Sequence, residues 1–281
     1  MTQILFISSY VASSRVGGSI APVALAALNL DVVLAPTTLL GRHPGLGAPG
    51  GSGVPADQLA SLLEGVEANG VFKNCRAVVT GYFSTPEQVA CAANAIDKIH
   101  AIQKTNPPLI LVDPIMGDAG SGLYIREDTA RAIETQLVRR ADIMTPNLWE
   151  FARLSRAQIE TLNTPKAVKE AATALPCDVI VTSTPDGDNT GALYAPKNCE
   201  AFYVKAPKLE GDIPHGVGDL VTTLFAGRCA TGETASSAFQ HAVSSVHVLL
   251  EKAVTEHLGD LPLSRYPEHI ASPPLLETAK L

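Results

Sequence analysis

The chain has 281 residues, of which 46% are hydrophobic, 5% aromatic and 17% charged; this composition can bury a large Ala-, Val- and Leu-rich core and excludes disordered and fibrous classes. The formal charge is −7 and the 21 Lys and Arg are scattered, so there is no basic stripe to track a nucleic acid or an anionic membrane, and neither is expected as a partner. Five cysteines (Cys75, Cys91, Cys177, Cys199 and Cys229) form no C-x-x-C pair and no zinc-type spacing, which fits reduced thiols in a cytoplasmic protein.

At the N-terminus, MTQILFISSYVASSR lacks a basic leader region, so no signal peptide is expected, and Ile4 to Ser8 reads as a buried strand. Ser19 to Leu40 is apolar but carries Pro22, Asn29, Asp31 and Pro36, which punctuate a helix, a turn and a strand (Val32 to Ala35) rather than a membrane span. Gly41 to Pro55 is so dense in Gly and Pro that no regular element is expected there. An interdomain linker at that position would leave a very small first domain, so an active-site flap is the preferred reading. Beyond it, Ala56 to Glu67 and Pro86 to Ile102 space apolar residues three and four apart and read as helices. Ala77 to Gly81, Leu109 to Asp113, Ile143 to Thr145 and Val179 to Thr182 read as buried strands. The final stretch, Pro262 to Leu281, is expected to be irregular surface chain. Strands alternating with helices imply one α/β domain over residues 1–281, a mainly parallel sheet covered on both faces. In such sheets ligands bind beyond the carboxyl ends of the strands.

Four strand-end or helix-start segments carry chemistry-bearing side chains. His215 precedes Gly216, Val217, Gly218 and Asp219 at the start of an apolar helix, where a glycine turn and unpaired N–H groups make an anion hole beside a carboxylate. A lone G-x-G-D is more often a plain helix cap. Asp113 and Asp118 flank a turn after the strand Leu109 to Asp113, followed by Tyr124, and two acids at that rim suit a cation. Thr145 leads into Asn147 and Glu150, which lie three apart and also have the spacing of a capping box. Thr182 and Ser183 place hydroxyls at another strand end. Together these are the parts of a phosphoryl transferase, while the absence of G-x-x-x-x-G-K-S/T and of a kinase glycine loop with its Lys excludes the P-loop and protein-kinase solutions.

GVGD at 216–219, DPIMGD at 113–118 and TPNLWE at 145–150, in that order, resemble the ribokinase superfamily and specifically the pyridoxal kinases. The N-terminal Ser9, Tyr10, Val11 leading to Val16-Gly17-Gly18-Ser19, and Thr80-Gly81-Tyr82, extend the similarity from Ile4 to about His247. The resemblance implies a ribokinase-like three-layer sandwich, a homodimer, ATP as donor, Mg²⁺ and a monovalent cation, K⁺ or Na⁺. By the same resemblance Asp219 is the base for the vitamin's 5′-hydroxymethyl group, with N–H donors from Gly216, Val217 and Gly218. Asp118 and Glu150 orient hydrated Mg²⁺, helped by Asn147. Asp113, Thr145 and Thr182 surround the monovalent cation, and Ser183 and Tyr124 approach the ATP phosphates. Ser9, Val16 and Tyr82 match residues that hold the pyridine ring. Two departures fall on the substrate side: His43 stands where a threonine is usual in the flap, and Tyr10 replaces a His or Gln. His43 either closes over the substrate or sits in solvent. His215 stays outside the catalytic set, and Trp149 is expected to pack in the core.

The reading that results is a kinase of pyridoxal, with pyridoxine and pyridoxamine as further acceptors. A hydroxymethylpyrimidine kinase is the nearest alternative, disfavoured because its G-I-Q-A-D start is absent. A non-catalytic vitamin-binding paralogue is a third, motivated by the altered flap and disfavoured by the intact GVGD.

Overall fold

The computed structural model describes residues 3–281. Twelve strands form in chain order: β1 (Gln3–Val11), β2 (Asp31–Leu40), β3 (Gly51–Gly53), β4 (Cys75–Thr80), β5 (Leu109–Val112), β6 (Gly117–Asp118), β7 (Gly122–Leu123), β8 (Ile143–Met144), β9 (Asp178–Asp186), β10 (Asn189–Ala195), β11 (Phe202–Ala206) and β12 (Thr278–Lys280). All but β6 and β7 belong to one ten-stranded sheet in the order β12-β11-β10-β9-β8-β5-β4-β1-β2-β3. The six central strands from β2 to β9 pair in parallel; the runs of Val, Ile, Leu and Ala in β1, β4, β5, β8 and β9 are buried on both faces, while β2, nearer the edge, is only partly buried.

Ten helices complete the chain: α1 (Ala21–Ala26), α2 (Ala56–Ala68), α3 (Val71–Asn74), α4 (Pro86–Ile102), α5 (Glu127–Ala132), α6 (Leu148–Ser155), α7 (Pro165–Ala172), α8 (Val217–Ala230), α9 (Ala235–Thr255) and α10 (Pro267–Ala271). Two buried clusters lie on opposite sides of the sheet. Alternating side chains of β1 show the division: Leu5 and Ile7 join Phe72, Val89, Ile96 and Phe151 on one face, while Ile4 and Phe6 join Leu25, Leu224, Phe225 and Phe239 on the other. The result is a three-layer α/β architecture. Helix α8 is buried from Leu220 to Arg228, and its apolar surface runs all round, as a helix enclosed on every side needs. Gly227 lets it approach α1, since a Cβ there would meet Leu25 Cδ2 at 2.5 Å or less (2.4 Å).

The expected strands and helices all form, mostly longer than their apolar runs, and the Ser19 to Leu40 stretch is a helix, a turn and a strand. Two expectations are corrected. Gly41 to Pro55 is not devoid of regular structure: a single 3-10 turn spans Pro44–Leu46, and β3 pairs antiparallel with β2 through Thr38↔Gly53, Leu39↔Ser52 and Leu40↔Gly51. Backbone pairing needs no side-chain signal, and Gly51 adopts φ 80° with its Cα facing the Leu39 carbonyl, where any Cβ would lie 1.9 Å from the oxygen. Pro262 to Leu281 is not irregular either. It holds α10, buries Leu263 and Ile270, and ends in β12, which pairs with β11. None of the described helices is long and apolar enough to cross a membrane.

Candidate active site

Because β4, β5 and β8 are neighbours and parallel, Thr80, Asp113 and Thr145 converge at their carboxyl ends; the expected strand end at Thr182 and Ser183 is corrected, since β9 runs on to Asp186 and both residues lie within it, Thr182 bridged to Asn147. Asp113 N–H donates to Thr80 O (2.9 Å) and Thr145 N–H to Val112 O (3.1 Å), so the sheet ladder itself sets these side chains at one rim. Opposite them stands the N-terminus of α8. Gly216 caps it at φ 90°, and a Cβ at that position would lie 2.2 Å from Arg15 O, so the turn requires glycine. Intrahelical bonding begins with Leu220 N–H to Gly216 O (2.9 Å), which leaves the N–H groups of Val217, Gly218 and Asp219 pointing outward.

A cleft of about 500 Å³ opens between these two edges. Its walls include Asp113, Tyr124, Thr145, Asn147, Glu150, Thr182, Ser183 and the whole Gly216, Val217, Gly218 and Asp219 turn. Ser183 adopts φ 58°, a left-handed conformation uncommon for a residue with a side chain, right at the cleft wall. Apolar residues of α9 and of the chain before α8, among them Val243, Val246 and Ile213, form the far end beside Lys208 and His247.

The capping reading of Asn147 and Glu150 and the site reading both hold in the geometry. Asn147 Oδ1 accepts from Glu150 N–H (2.9 Å), and Glu150 Oε2 accepts from Asn147 N–H (2.9 Å), a reciprocal box at the start of α6. The second carboxylate oxygen, Oε1, accepts from Met116 N–H (2.8 Å) and Gly117 N–H (3.3 Å), and Asn147 Nδ2 donates to Gly117 O (2.8 Å). The DPIMGD loop is thereby fastened to α6. Trp149 is half-buried against the core, its ring edge packed over Gly117.

The acids raise one another's proton affinity. Asp113 is buried, and burial together with the negative Asp219 and Glu150 pushes its carboxyl well above the ordinary carboxylate range. Burial pushes Glu150 up to about 7 despite its three N–H donors. Asp219 is raised by burial and partly restored by the Gly17 N–H it accepts. The same acids and its own burial push the Tyr124 hydroxyl upward. Lys208 is the one Lys or Arg on the cleft wall, so the negative charge there calls for a cation.

The residue types fit a hydrated hard cation better than a caged one. Glu150 has both oxygens engaged by backbone N–H groups, and no cluster of three His, Cys, Asp or Glu close enough to grip a metal directly exists among the described residues. Asp118, in the β6–β7 hairpin, is exposed and accepts from Gly120 N–H (2.8 Å) and Ser121 N–H (2.6 Å) through Oδ1; it lies near the rim rather than on the cleft wall.

Ser9, Val16, Tyr82 and His43 do not line this cleft. They lie behind the α8 turn on the other side of Asp219. Gly17, whose N–H reaches Asp219, packs so closely that a Cβ would sit 2.1 Å from Ser9 Oγ, and Val16 Cγ1 lies beside Gly216. Tyr82 N–H donates to Ser8 Oγ (3.2 Å), and Tyr82 O accepts from Thr37 Oγ1 (2.6 Å). His43 stacks on His215, ring centroids 4.1 Å apart at 29°, so the flap rests on the residue just ahead of the glycine turn. His215, set aside from sequence, is thus a partner of the flap.

Thr222 also escaped the motif reading. Its Oγ1 lies 3.0 Å from Asp113 Oδ2, 2.8 Å from Thr145 Oγ1 and 3.1 Å from Gly218 O, joining the α8 turn to two strand ends. Two threonines three and four residues after Asp219, in an otherwise apolar helix, were the available signal.

A family model described as phosphomethylpyrimidine kinase matches residues 50–264. Pyridoxal kinase PdxY of Rubrobacter xylanophilus is 30% identical, over 97% of this chain and 95% of that protein. The PdxY of Deinococcus radiodurans is 31% identical over 92% of this chain and 88% of that protein. Among solved structures, pyridoxal kinase from Entamoeba histolytica superposes with TM-score 0.88 at 26% identity, covering 100% of both chains. Pyridoxal kinase from Leishmania donovani in complex with ADP and pyridoxamine gives 0.90 at 23% identity over 100% of both, which bears on the fold. With the three-layer sandwich, the glycine-capped helix and the strand-end acids in the expected places, the chain belongs to the phosphomethylpyrimidine kinase family, and within it to the pyridoxal kinase relatives it matches along nearly its whole length.

Proposed function

We propose that the protein is a single-domain, cytoplasmic ATP-dependent kinase that transfers a phosphoryl group to the 5′-hydroxymethyl oxygen of pyridoxal, with pyridoxine and pyridoxamine as further acceptors. The observation that carries this reading is the placement of Asp219: it belongs to the first turn of α8, where outward N–H groups and a carboxylate meet at the boundary between an open cleft and the Ser9, Val16 and Tyr82 side. Phosphoryl transfer through a loose transition state asks mainly for alignment and charge stabilisation, which preorganised N–H donors provide. Asp219 receives the acceptor's proton, and its raised proton affinity suits that task. The N–H groups of Gly216, Val217 and Gly218 face the transferring phosphoryl.

In this reading ATP occupies the cleft, its phosphates toward Ser183 and Tyr124 and its base among the apolar side chains of α9. Asp118 and Glu150, with Asn147, would hold hydrated Mg²⁺, and Asp113, Thr145 and Thr182 a K⁺ or Na⁺. Bound there, the cations supply neutralisation of phosphate charge. Ser9, Val16 and Tyr82 hold the ring, and His43 covers it from the flap. The working form is a homodimer.

Purified protein with MgATP, K⁺ and pyridoxal should form pyridoxal 5′-phosphate, followed by its absorbance, with kcat/KM above that for hydroxymethylpyrimidine. Preference for the pyrimidine would move the protein to the other branch of its family; turnover of neither, with tight pyridoxal binding, would leave a binding protein.

A further inference from the structure

Behind the active-site turn lies a second, much smaller space. It measures about 10 Å³, about what one water molecule needs. Thr80 at the end of β4, Thr223 on α8, Gly17, and the two acids Asp113 and Asp219 border it. Thr80 is 0% exposed and Thr223 1% exposed, and neither hydroxyl has a hydrogen-bond partner in the protein. A buried hydroxyl without a partner is destabilising and rare in native proteins, so two of them on one small polar chamber are not an accident of packing.

We infer that this chamber is a binding site for one ordered water that accepts from the Thr80 and Thr223 hydroxyls and donates to the Asp113 and Asp219 carboxylates. The valences match: a water has two acceptor and two donor positions, and the walls present two unpartnered hydroxyls, Thr80 and Thr223, and two carboxylates, while the other hydroxyls on the walls are already engaged, Thr222 with Asp113 and Gly218 O and Ser8 with Tyr82 N–H. The same four oxygens would also suit a small monovalent cation. Water is the occupant chosen because a cation against Asp219 would suppress the proton affinity that the base needs, whereas a neutral donor orients the carboxylate and leaves it basic. Thr80 and Thr223 are therefore positioning residues. They act through the water on the orientation of Asp219 and touch no substrate.

The inference rests on Asp219 being the base, and the two fail separately. A high-resolution crystal structure of the wild-type protein should show one solvent peak within hydrogen-bond distance of both hydroxyls and both carboxylates, whatever the activity. An anomalous peak in the chamber after soaking with Tl⁺, or no peak at all, overturns the water site. In steady-state kinetics, Thr80→Val and Thr223→Val should each lower kcat about tenfold while leaving KM for both substrates within about twofold, and Thr→Ser at either position should restore kcat. The double valine variant should be no slower than either single one, because both hydroxyls serve the same water. Losses that multiply, or an unchanged kcat, overturn the positioning role. A full-strength peak combined with an Asp219→Asn enzyme of normal kcat would instead remove the base reading and leave the water.

Discussion

Asp219 combines three local features: it lies in the helix turn opened by Gly216, whose φ and closeness to Arg15 O require glycine, it accepts the Gly17 N–H, and burial raises its proton affinity. Asp219→Asn keeps the shape and removes the proton acceptor, so kcat should fall by about a hundredfold or more while MgATP binding, measured by calorimetry, changes little. His43 gives a pH dependence with a definite sign. Burial and then the neighbouring His215 lower its proton affinity, only partly offset by Asp260, so the folded flap prefers the neutral ring. The stacked arrangement is at full strength above the ordinary value of 6.5 and is lost as the pH falls below it. Protection factors for hydrogen exchange in residues 41–53, corrected for the pH dependence of the intrinsic rate, should therefore fall on acidification past about 6.5, and His43→Gln should abolish that change. At this scale GVGD, DPIMGD and TPNLWE made most of the cleft legible in the sequence, because each motif sits where one strand or helix ends. Thr222, Thr223 and the His43–His215 stack were not legible, since each depends on which residues of distant segments face one another.

The flap is a hairpin hung from a fixed base. Gln88, fully buried on α4, donates through Nε2 to Thr37 O (2.7 Å) and Val54 O (2.6 Å), the residues on either side of the β2–β3 pairing, and accepts from Ser84 N–H (2.9 Å) through Oε1. One amide thus holds both legs of the hairpin and the chain entering α4. Gln88→Ala strands the buried Val54 carbonyl, while Thr37 O keeps the Val54 N–H, and should cost about 1–3 kcal/mol, read by chemical denaturation, and should raise KM for the vitamin more than KM for ATP. The apolar spacing of α2 and α4 located those helices to within a residue, because amphipathic faces write themselves into sequence. β3 had no such imprint: its Gly-Ser-Gly is exposed and held only by main-chain pairing to β2.

Taken whole, the sheet has a parallel centre, where the chemistry gathers, and an antiparallel flank of β10, β11 and β12. The alternation of strand and helix made the centre readable, whereas the C-terminal segment shows its place only through partners supplied by α8, α9 and β11. Buried Arg228 donates to Ile270 O (2.7 Å) and Ala271 O (3.1 Å), and Leu276 N–H donates to Ser244 Oγ (3.0 Å). Removing residues 262–281 would uncover the pockets of Leu263 and Ile270 and leave that guanidinium without its carbonyls. The shortened protein should lose at least about 3 kcal/mol, seen as a lower denaturation midpoint and a fall in soluble yield.

The asymmetry around Asp219, an open cleft before it and tight packing behind, also bears on waste. A kinase that holds its donor while its acceptor is away risks handing the phosphoryl group to solvent. Under the proposed function the attacking position lies on the side where Gly17 packs against Ser9 and the flap rests on His215, an arrangement that limits the access of bulk water to the space in line with the donor. On that reading the acceptor enters past the hairpin, and its entry, rather than the encounter with ATP, becomes the event that commits the nucleotide.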